Sequence, residues 1–299
     1  MFNQITIIGC GLIGSSVLRR LKNNRSIKKI VTYDNDKTVS EIIKKTNLSD
    51  DIAASPSEAV KNSDLILLSV PLSSFESTVD SIKNNLKSGS ILTDTCSVKK
   101  GVNEIVKKMN LKNSIWIPGH PVAGTEKSGP NAGFGDLFQD RWTILTPDKN
   151  ISEANIKNLS RFWESMGSKV KIMSVEDHDK ILSLTSHLPH VIAYNIVRTV
   201  MTGNEKTKDD IIRYSAGGLR DFTRIAASDP KMWKDIFIDN SSLIINAIEK
   251  FSKSLEEFKK AITEKDSKKL LEIFEKSKEF RKSIIKAGQD TDKPDFGRK

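Results

Sequence analysis

The run Ile5 to Ile8 breaks directly into Gly9-Cys10-Gly11-Leu12-Ile13-Gly14, and an acidic residue, Asp34, closes the next strand-like run, Lys29 to Tyr33. Each glycine in that turn answers a separate demand. Gly9 permits the tight turn out of the strand, Gly11 lets the backbone approach a pyrophosphate, and Gly14 lets the following helix lie close to the sheet. The helix N-terminus then offers free N–H groups and the positive end of its dipole to the phosphates. Asp34 stands twenty residues beyond Gly14, where a carboxylate accepts both hydroxyls of an adenine ribose and repels a 2′-phosphate. The implied cofactor is NAD rather than NADP. Its expected contacts are Gly9, Gly11, Leu12, Ile13, Gly14 and Asp34, with Val70 and Pro71 at the end of a further strand-like run. A glycine-rich turn can serve structure alone, but strand, triplet, helix, strand and acid in this order specify a nucleotide site.

The alternation continues beyond the turn. Gln4 to Ile8, Lys29 to Tyr33, Leu65 to Val70, Ser90 to Thr93, Ile115 to Pro118, Trp142 to Thr146 and Lys169 to Met173 read as strands. Between them, Leu12 to Asn23, Phe75 to Leu86, Val98 to Met109 and Ile151 to Met166 carry helical periodicity. Such a pattern calls for a mostly parallel, doubly wound sheet covered on both faces. Gly119 to Asp140, with five glycines and two prolines, reads as a long irregular loop at a strand's carboxyl end, where open α/β sheets place their sites.

After Ser174 the strand signals stop, and Glu176 to Met201, Asp209 to Tyr214, Leu219 to Ala227, Lys231 to Glu249, Leu255 to Ile262 and Ser267 to Lys286 read as helices. The expected architecture is an α/β N-terminal Rossmann-type domain, residues 1–174, followed by an all-α C-terminal domain, residues 175–299, for substrate binding and dimerisation. Its long apolar helices exceed what one small bundle buries, so pairing into a homodimer is expected. Gly288 to Lys299 has the composition of a loosely attached tail.

The net charge of +10 raises the question of nucleic acid. Its distribution argues against it: Glu256, Glu257, Lys259, Lys260, Glu264 and Lys268 alternate in sign at helical spacing, which describes a solvated helix face. The excess cation suits the attraction of an anionic small-molecule substrate. No apolar run approaches the roughly 20 residues of a membrane span, and no secretory signal opens the chain. Cys10 and Cys96 cannot form a disulfide framework, so a reduced, cytoplasmic setting is expected.

Oxidation by NAD takes a hydride from carbon and a proton from the oxygen on that carbon, so a base must sit near the nicotinamide. Of four histidines, His120 lies at a strand end in Gly119-His120-Pro121-Val122-Ala123-Gly124-Thr125-Glu126, the position for such a base, although a polar surface histidine is the plainer alternative. Ser97, after an adjacent strand, suits either an N-cap or a hydroxyl that bonds substrate or orients His120. In the helical half, Asp179, Ser183, Ser186 and His190 fall within roughly 60° of one another at 100° per residue, while Leu184, Leu188 and Val191 face away. A polar stripe on an apolar helix lines a site, a water channel or an interhelical hydrogen-bond network, and Pro189 suggests a kink beside it. His187 and His190 alone do not make the three or four ligands of a zinc site, so no metal is expected. Arg220 and Arg224 share a helix face, and the guanidinium fork suits a carboxylate. Trp233 reads as core or as a pocket wall.

Gly9-x-Gly11-x-x-Gly14, Gly119-His120-Pro121-Val122-Ala123-Gly124-Thr125-Glu126, Ser186-His187-Leu188-Pro189-His190 and Gly218-Leu219-Arg220-Asp221-Phe222-Thr223-Arg224-Ile225-Ala226 together closely resemble the prephenate/arogenate dehydrogenase family of tyrosine biosynthesis. The resemblance runs from the first strand to about Trp233. It implies NAD-dependent oxidative decarboxylation of prephenate to 4-hydroxyphenylpyruvate, with arogenate as the alternative substrate. In the family's manner His120 would polarise the ring hydroxyl and Ser97 would help orient it. Arg224 would bind a substrate carboxylate with His190 nearby, Glu126 would pair with Arg224, and Asp179 would sit in the supporting network; Thr125 and Trp233 complete the expected substrate contacts. A β-hydroxyacid dehydrogenase, the competing enzyme, would be expected to carry a catalytic lysine on the first helices of its second domain, where only Lys180 stands. An NAD(H)-sensing regulator would have no need for His120, the stripe and Arg224 to converge.

Overall fold

The computed structural model describes residues 2–22, 27–111, 114–202 and 205–288. Six strands, β1 (Gln4–Ile8), β2 (Lys29–Tyr33), β3 (Asp51–Ile52), β4 (Leu65–Leu68), β5 (Ile91–Asp94) and β6 (Ile115–Trp116), form one sheet in the order β3-β2-β1-β4-β5-β6. Every pairing is parallel, with Ile8 beside Leu68 and Leu68 beside Asp94, so the carboxyl ends of β1, β4 and β5 share one edge. Parallel neighbours cannot be joined by tight hairpins. Helices α1 (Leu12–Leu21), α2 (Lys37–Lys45), α3 (Pro56–Ala59), α4 (Leu72–Ile82) and α5 (Lys100–Met109) lie between the strands in the chain.

The apolar runs are continuous because both sheet faces are covered. Ile5, Ile7, Leu65 and Leu67 pack with Val17, Leu18 and Leu21 of α1 and with Trp163 of α6 (Glu153–Ser165). Ile8, Ile66, Leu68 and Leu92 pack on the opposite side with Phe75, Val79 and Val102. This is the doubly wound sheet that the alternation of elements implies.

Three further strands form a separate sheet, which corrects the expectation of one sheet and of an irregular loop from Gly119. β7 (Gly119–Pro121) pairs antiparallel with β8 (Trp142–Leu145), and β8 pairs parallel with β9 (Lys169–Ile172). A three-residue strand shows no periodicity, and Pro121 argues against a strand except at an edge, where β7 lies. The interval from Tyr33 to Leu65, which showed no clear pattern, holds α2, β3 and α3.

Beyond residue 174 the chain is helical. Ser174 caps α7 (Val175–Leu182) by accepting the Asp177 N–H at 3.0 Å. A π-helical turn, Ser183–His187, leads into α8 (Leu188–Met201), followed by α9 (Glu205–Arg213) and α10 (Gly217–Thr223), which tightens into a 3-10 turn over Arg224–Ala227. Asp229 caps α11 (Pro230–Asp239), as the Ser-Asp-Pro spacing implies, by accepting the N–H groups of Lys231 and Met232 at 2.9 Å. The helix expected over Lys231 to Glu249 breaks at Asn240, and α12 (Ser241–Thr263) then runs through the gap expected before Leu255. The last helix is α13 (Ser267–Lys286).

By contacts the chain divides into two compact units, Met1–Ile244 and Ile245–Lys299, so the functional division expected after residue 174 falls inside the first. Within the second, Phe258 of α12 and Phe274 of α13 approach with ring centroids 6.1 Å apart. Large apolar side chains stand exposed in both, including Leu184, Phe222 and Ile238 in the first and Leu255, Ile262 and Phe280 in the second. Of the expected tail, all but Gly288 lies outside the described residues. Among the described residues no helix is long and apolar enough to cross a membrane.

Candidate active site

The glycine turn is built as its sequence demands. Gly9 has φ +89°, and a Cβ there would lie 2.4 Å from the Ser69 carbonyl oxygen at the end of β4. A Cβ on Gly14 would lie 2.0 Å from the Gly9 oxygen, so α1 rests directly on the turn. Gly11 differs: its Cβ position is open, and no side chain caps the N-terminus of α1. Leu12 and Ile13 begin that helix, while Val70 and Pro71 lead into α4 from the neighbouring strand. The open, uncapped helix end fits a pyrophosphate. Asp34 has a structural task besides any ribose contact, for its carboxylate accepts the N–H groups of Cys10 at 2.7 Å and Asp36 at 2.9 Å. Burial, and then the Asp34 charge, push the Cys10 thiol far above its ordinary value, so it is an inert filler of the turn.

His120 stands on β7 opposite Ile144 and is buried. Its Nδ1 lies 2.8 Å from His178 Nε2, and His178 Nδ1 lies 2.7 Å from Asp179 Oδ1. The carboxylate settles the protons along this line. Asp179 can only accept, so His178 carries its proton on Nδ1 and offers Nε2 as an acceptor. His120 therefore donates from Nδ1, and its Nε2 lone pair is left free. Burial first, then the His178 ring and the Lys99 ammonium, hold His120 well below the ordinary histidine value, so the ring is neutral at pH 7. Burial likewise lowers His178, against the pull of Asp179. Burial opposes the charge on Asp179, but the His178 contact and the backbone N–H bonds keep its carboxyl below the usual range.

Those backbone bonds correct the reading of Ser97. Helix α5 starts at Lys100, and the N–H groups of Lys99 and Lys100 are both accepted by Asp179 at 2.9 Å. The cap comes from α7, 80 residues away. Ser97 is half-buried, and the partner of His120 is His178 rather than its hydroxyl.

The π turn alters the polar stripe as well. One extra residue in that turn slips the helical phase, so Asp179, Ser183 and His187 are buried while Ser186 and His190 are half-buried. Asn240, at the break between α11 and α12, donates to the Asp179 carbonyl at 3.1 Å and reaches His187 Nδ1 at 3.1 Å. His190 lies flat on Trp233, ring centroids 3.5 Å apart at 21°, and donates from Nδ1 to the Ser186 carbonyl at 2.8 Å. Its Nε2 is thereby an acceptor. Trp233 is buried with Val98 and Ile236, as its core reading expects, and its ring is the surface on which His190 lies. Arg224 is largely exposed and donates from Nη1 to Glu126 Oε2 at 3.3 Å, the pairing that the resemblance implies. Thr125 is exposed, and its Oγ1 accepts the Lys127 N–H at 3.2 Å, which shapes the turn carrying Glu126.

The residues that sequence reasoning missed are Asp94, Lys99, His178, His187 and Asn240. His178 is adjacent to Asp179 and so about 100° off the stripe. It lies within five consecutive polar residues, Glu176 to Lys180, so no local pattern singles it out.

Burial, outweighing the pull of Asp179, lowers His187 from 6.5 to about 4. In the unfolded chain it takes up a proton near 6.5, but in the fold only near 4. Between those values the unfolded chain binds more protons, so stability present in full above 6.5 is lost as pH falls toward about 4. His120 and His178 act in the same direction. The melting temperature is expected to fall between about pH 7 and about pH 5, and an unchanged value across that range would contradict a neutral buried cluster.

Residues 17–172 match the family model for the prephenate dehydrogenase nucleotide-binding domain, and residues 174–276 match that for the prephenate dehydrogenase dimerization domain. A cyclohexadienyl dehydrogenase of Zymomonas mobilis is 40% identical over 284 residues, 95% of this chain and 97% of that protein. A prephenate dehydrogenase of Bacillus subtilis is 28% identical over 95% of this chain and 76% of that one. The crystal structure of Aquifex aeolicus prephenate dehydrogenase with hydroxyphenyl propionate and NAD+ matches with a TM-score of 0.86 and 33% identity, covering 95% of this chain and 99% of that chain.

Proposed function

The chain belongs to the prephenate dehydrogenase family, and from that membership we propose that it carries out the NAD-dependent oxidative decarboxylation of prephenate to 4-hydroxyphenylpyruvate. The observation that carries this reading is the free Nε2 of a neutral, buried His120 at the carboxyl edge of the sheet. Arogenate is the alternative substrate of the same chemistry.

In this reading residues 1–174 hold the cofactor and the base, and residues 175–299 supply substrate contacts and the dimer interface. NAD supplies the hydride acceptor when bound. Gly9, Gly11, Leu12, Ile13 and Gly14 would hold its pyrophosphate and Asp34 its adenine ribose, with Val70 and Pro71 at the same edge. His120 accepts the ring hydroxyl proton at Nε2 as the hydride leaves the carbon that bears it, and the two losses together form the carbonyl. Loss of CO2 then aromatises the ring, so the driving force lies in the substrate and the enzyme contributes chiefly orientation and charge complementarity. Arg224 binds a substrate carboxylate once it exchanges the Glu126 contact for the ligand, with His190, stacked on Trp233, as a further contact of the same substrate. Ser97 would help orient the ring hydroxyl and Thr125 would contact the substrate, as the family resemblance implies. The homodimer follows from the match to a dimerization domain together with the exposed apolar helix surface. Cys10 and Cys96 are buried free thiols, which suits a reducing cytoplasmic setting.

The test is NADH production by the purified protein with prephenate and with arogenate, each supplied with NAD and with NADP. Turnover of neither substrate would overturn the reading and favour a sensor that binds the nucleotide without chemistry. Arg224→Ala is expected to raise the KM for the carboxylate substrate by about 10- to 100-fold, the loss of a charge-assisted hydrogen bond, with kcat within about threefold. An unchanged KM would remove Arg224 from the substrate site.

A further inference from the structure

We propose that the buried Asp94–Lys99 ion pair is a positioning device that grips the main chain at Gly119 and so aims the His120 ring. The inference rests on His120 being the base.

Both side chains are completely buried. Asp94 ends β5, and Lys99 immediately precedes α5. Lys99 Nζ donates to the Asp94 carboxylate and, at 2.6 Å, to the Gly119 carbonyl. The other Asp94 oxygen accepts the Gly119 N–H at 3.0 Å. Both main-chain polar groups of Gly119 are thus held by the two members of one ion pair. The pair stands where a neighbouring strand would stand. On its other side β7 is tied to β8, with the Thr146 N–H bonded to the Pro118 carbonyl at 2.9 Å and the Val122 N–H to the Trp142 carbonyl at 2.8 Å. The approach is close, for a Cβ on Gly119 would lie 3.0 Å from the Asp94 carbonyl oxygen and 3.1 Å from Thr93 Oγ1.

Lys99 also holds the far end of the histidine line, because its own N–H is one of the two that Asp179 accepts. One residue therefore spans the assembly, its side chain on the residue before His120 and its backbone on the carboxylate behind His178. A buried ion pair is weak evidence for stability, since well-packed apolar side chains often serve as well. An apolar pair could not make directional bonds to both sides of Gly119. The groups that face His120 are the Lys99 ammonium from the turn before α5 and the rings of His178 from α7 and His187 from the π turn. Removing the ammonium takes away a cation that disfavours a proton on His120.

The experiment uses the full chain with Asp94→Asn and Lys99→Met combined, so that no lone charge is left buried. The expected result is a fall in kcat of about 100-fold from misplacement of the base, with KM values within about threefold. The pH at which His120 takes up a proton, read by NMR of the histidine rings, is expected to shift as the ring leaves its place against His178. Lower thermal stability with kcat per folded molecule intact would overturn the proposal, and so would a fall in kcat with the His120 titration unmoved. Should the double variant fail to fold, amide exchange decides in the wild type. A Gly119 N–H that exchanges only with the slowest class supports the grip, and rapid exchange overturns it. If the wild-type protein turns over neither substrate, the functional reading fails alone, and the His120 titration still tests the pair.

Discussion

Replacing His120 by Asn is expected to lower kcat by about 100-fold or more while KM changes by less than about threefold. Asparagine keeps an N–H donor for His178 Nε2 and stays within the space of the imidazole, so the line to Asp179 can survive. What it lacks is the basic lone pair that His120 holds at Nε2. The pH profile sharpens the expectation. Because burial holds His120 well below the ordinary histidine value, activity should persist as pH falls through 6.5 and be lost only at lower pH, where the ring takes up its proton. That acid limb should be absent from the variant. A kcat equal to wild type would remove His120 from the chemistry.

Asp179→Asn should be nearly as damaging for a reason that involves no contact with substrate. The carboxylate dictates where the protons lie on two histidines in series. Oδ1 faces His178 and accepts the Lys99 N–H while Oδ2 accepts the Lys100 N–H, so an Asn whose oxygen keeps the Lys100 bond turns its amide N–H toward His178 Nδ1. His178 must then carry its proton on Nε2 and donate to His120 Nδ1, which moves the His120 proton onto Nε2 and abolishes the free lone pair. Inverting a tautomer in a comparable carboxylate–histidine pair costs about 10⁴-fold in rate, and roughly 10² to 10⁴ is expected here. The same change weakens the cap on α5 by about 1 kcal/mol. The two effects separate experimentally, because the cap appears in the melting temperature and the tautomer in kcat per folded molecule. A lower melting temperature with full kcat would leave Asp179 as a cap alone.

Legibility followed the range of each interaction. The Gly9 and Gly14 turn could be read because its constraint is steric and local, between residues five apart in the chain. Asp229 could be read as a helix cap because it bonds the N–H groups two and three residues on. Arg224 with Glu126 came from family resemblance, whereas periodicity had already placed Asp179 on a polar stripe. Ser97 looked like a cap on the same local logic, but the donors it was to satisfy are taken by a carboxylate from another helix. The stripe ending at His190 assumed an unbroken 3.6-residue repeat, and the π turn before Pro189 breaks that repeat.

The sequence by itself determined the glycine turn, the doubly wound sheet and the helical second half, and it singled out His120 as the candidate base, because steric limits at glycine, alternating apolar runs and helix signals act over a few residues. Only the tertiary structure decided which groups complete the base. His120 meets His178 across 58 residues, and Lys99 meets Asp179 across 80. Such pairings exist only once β7 is pressed against the end of β5 and α7 lies over the start of α5. A buried histidine or lysine must find a partner to offset its lost hydration, and which partner it finds is set by the packing of whole elements, a property that no local pattern encodes.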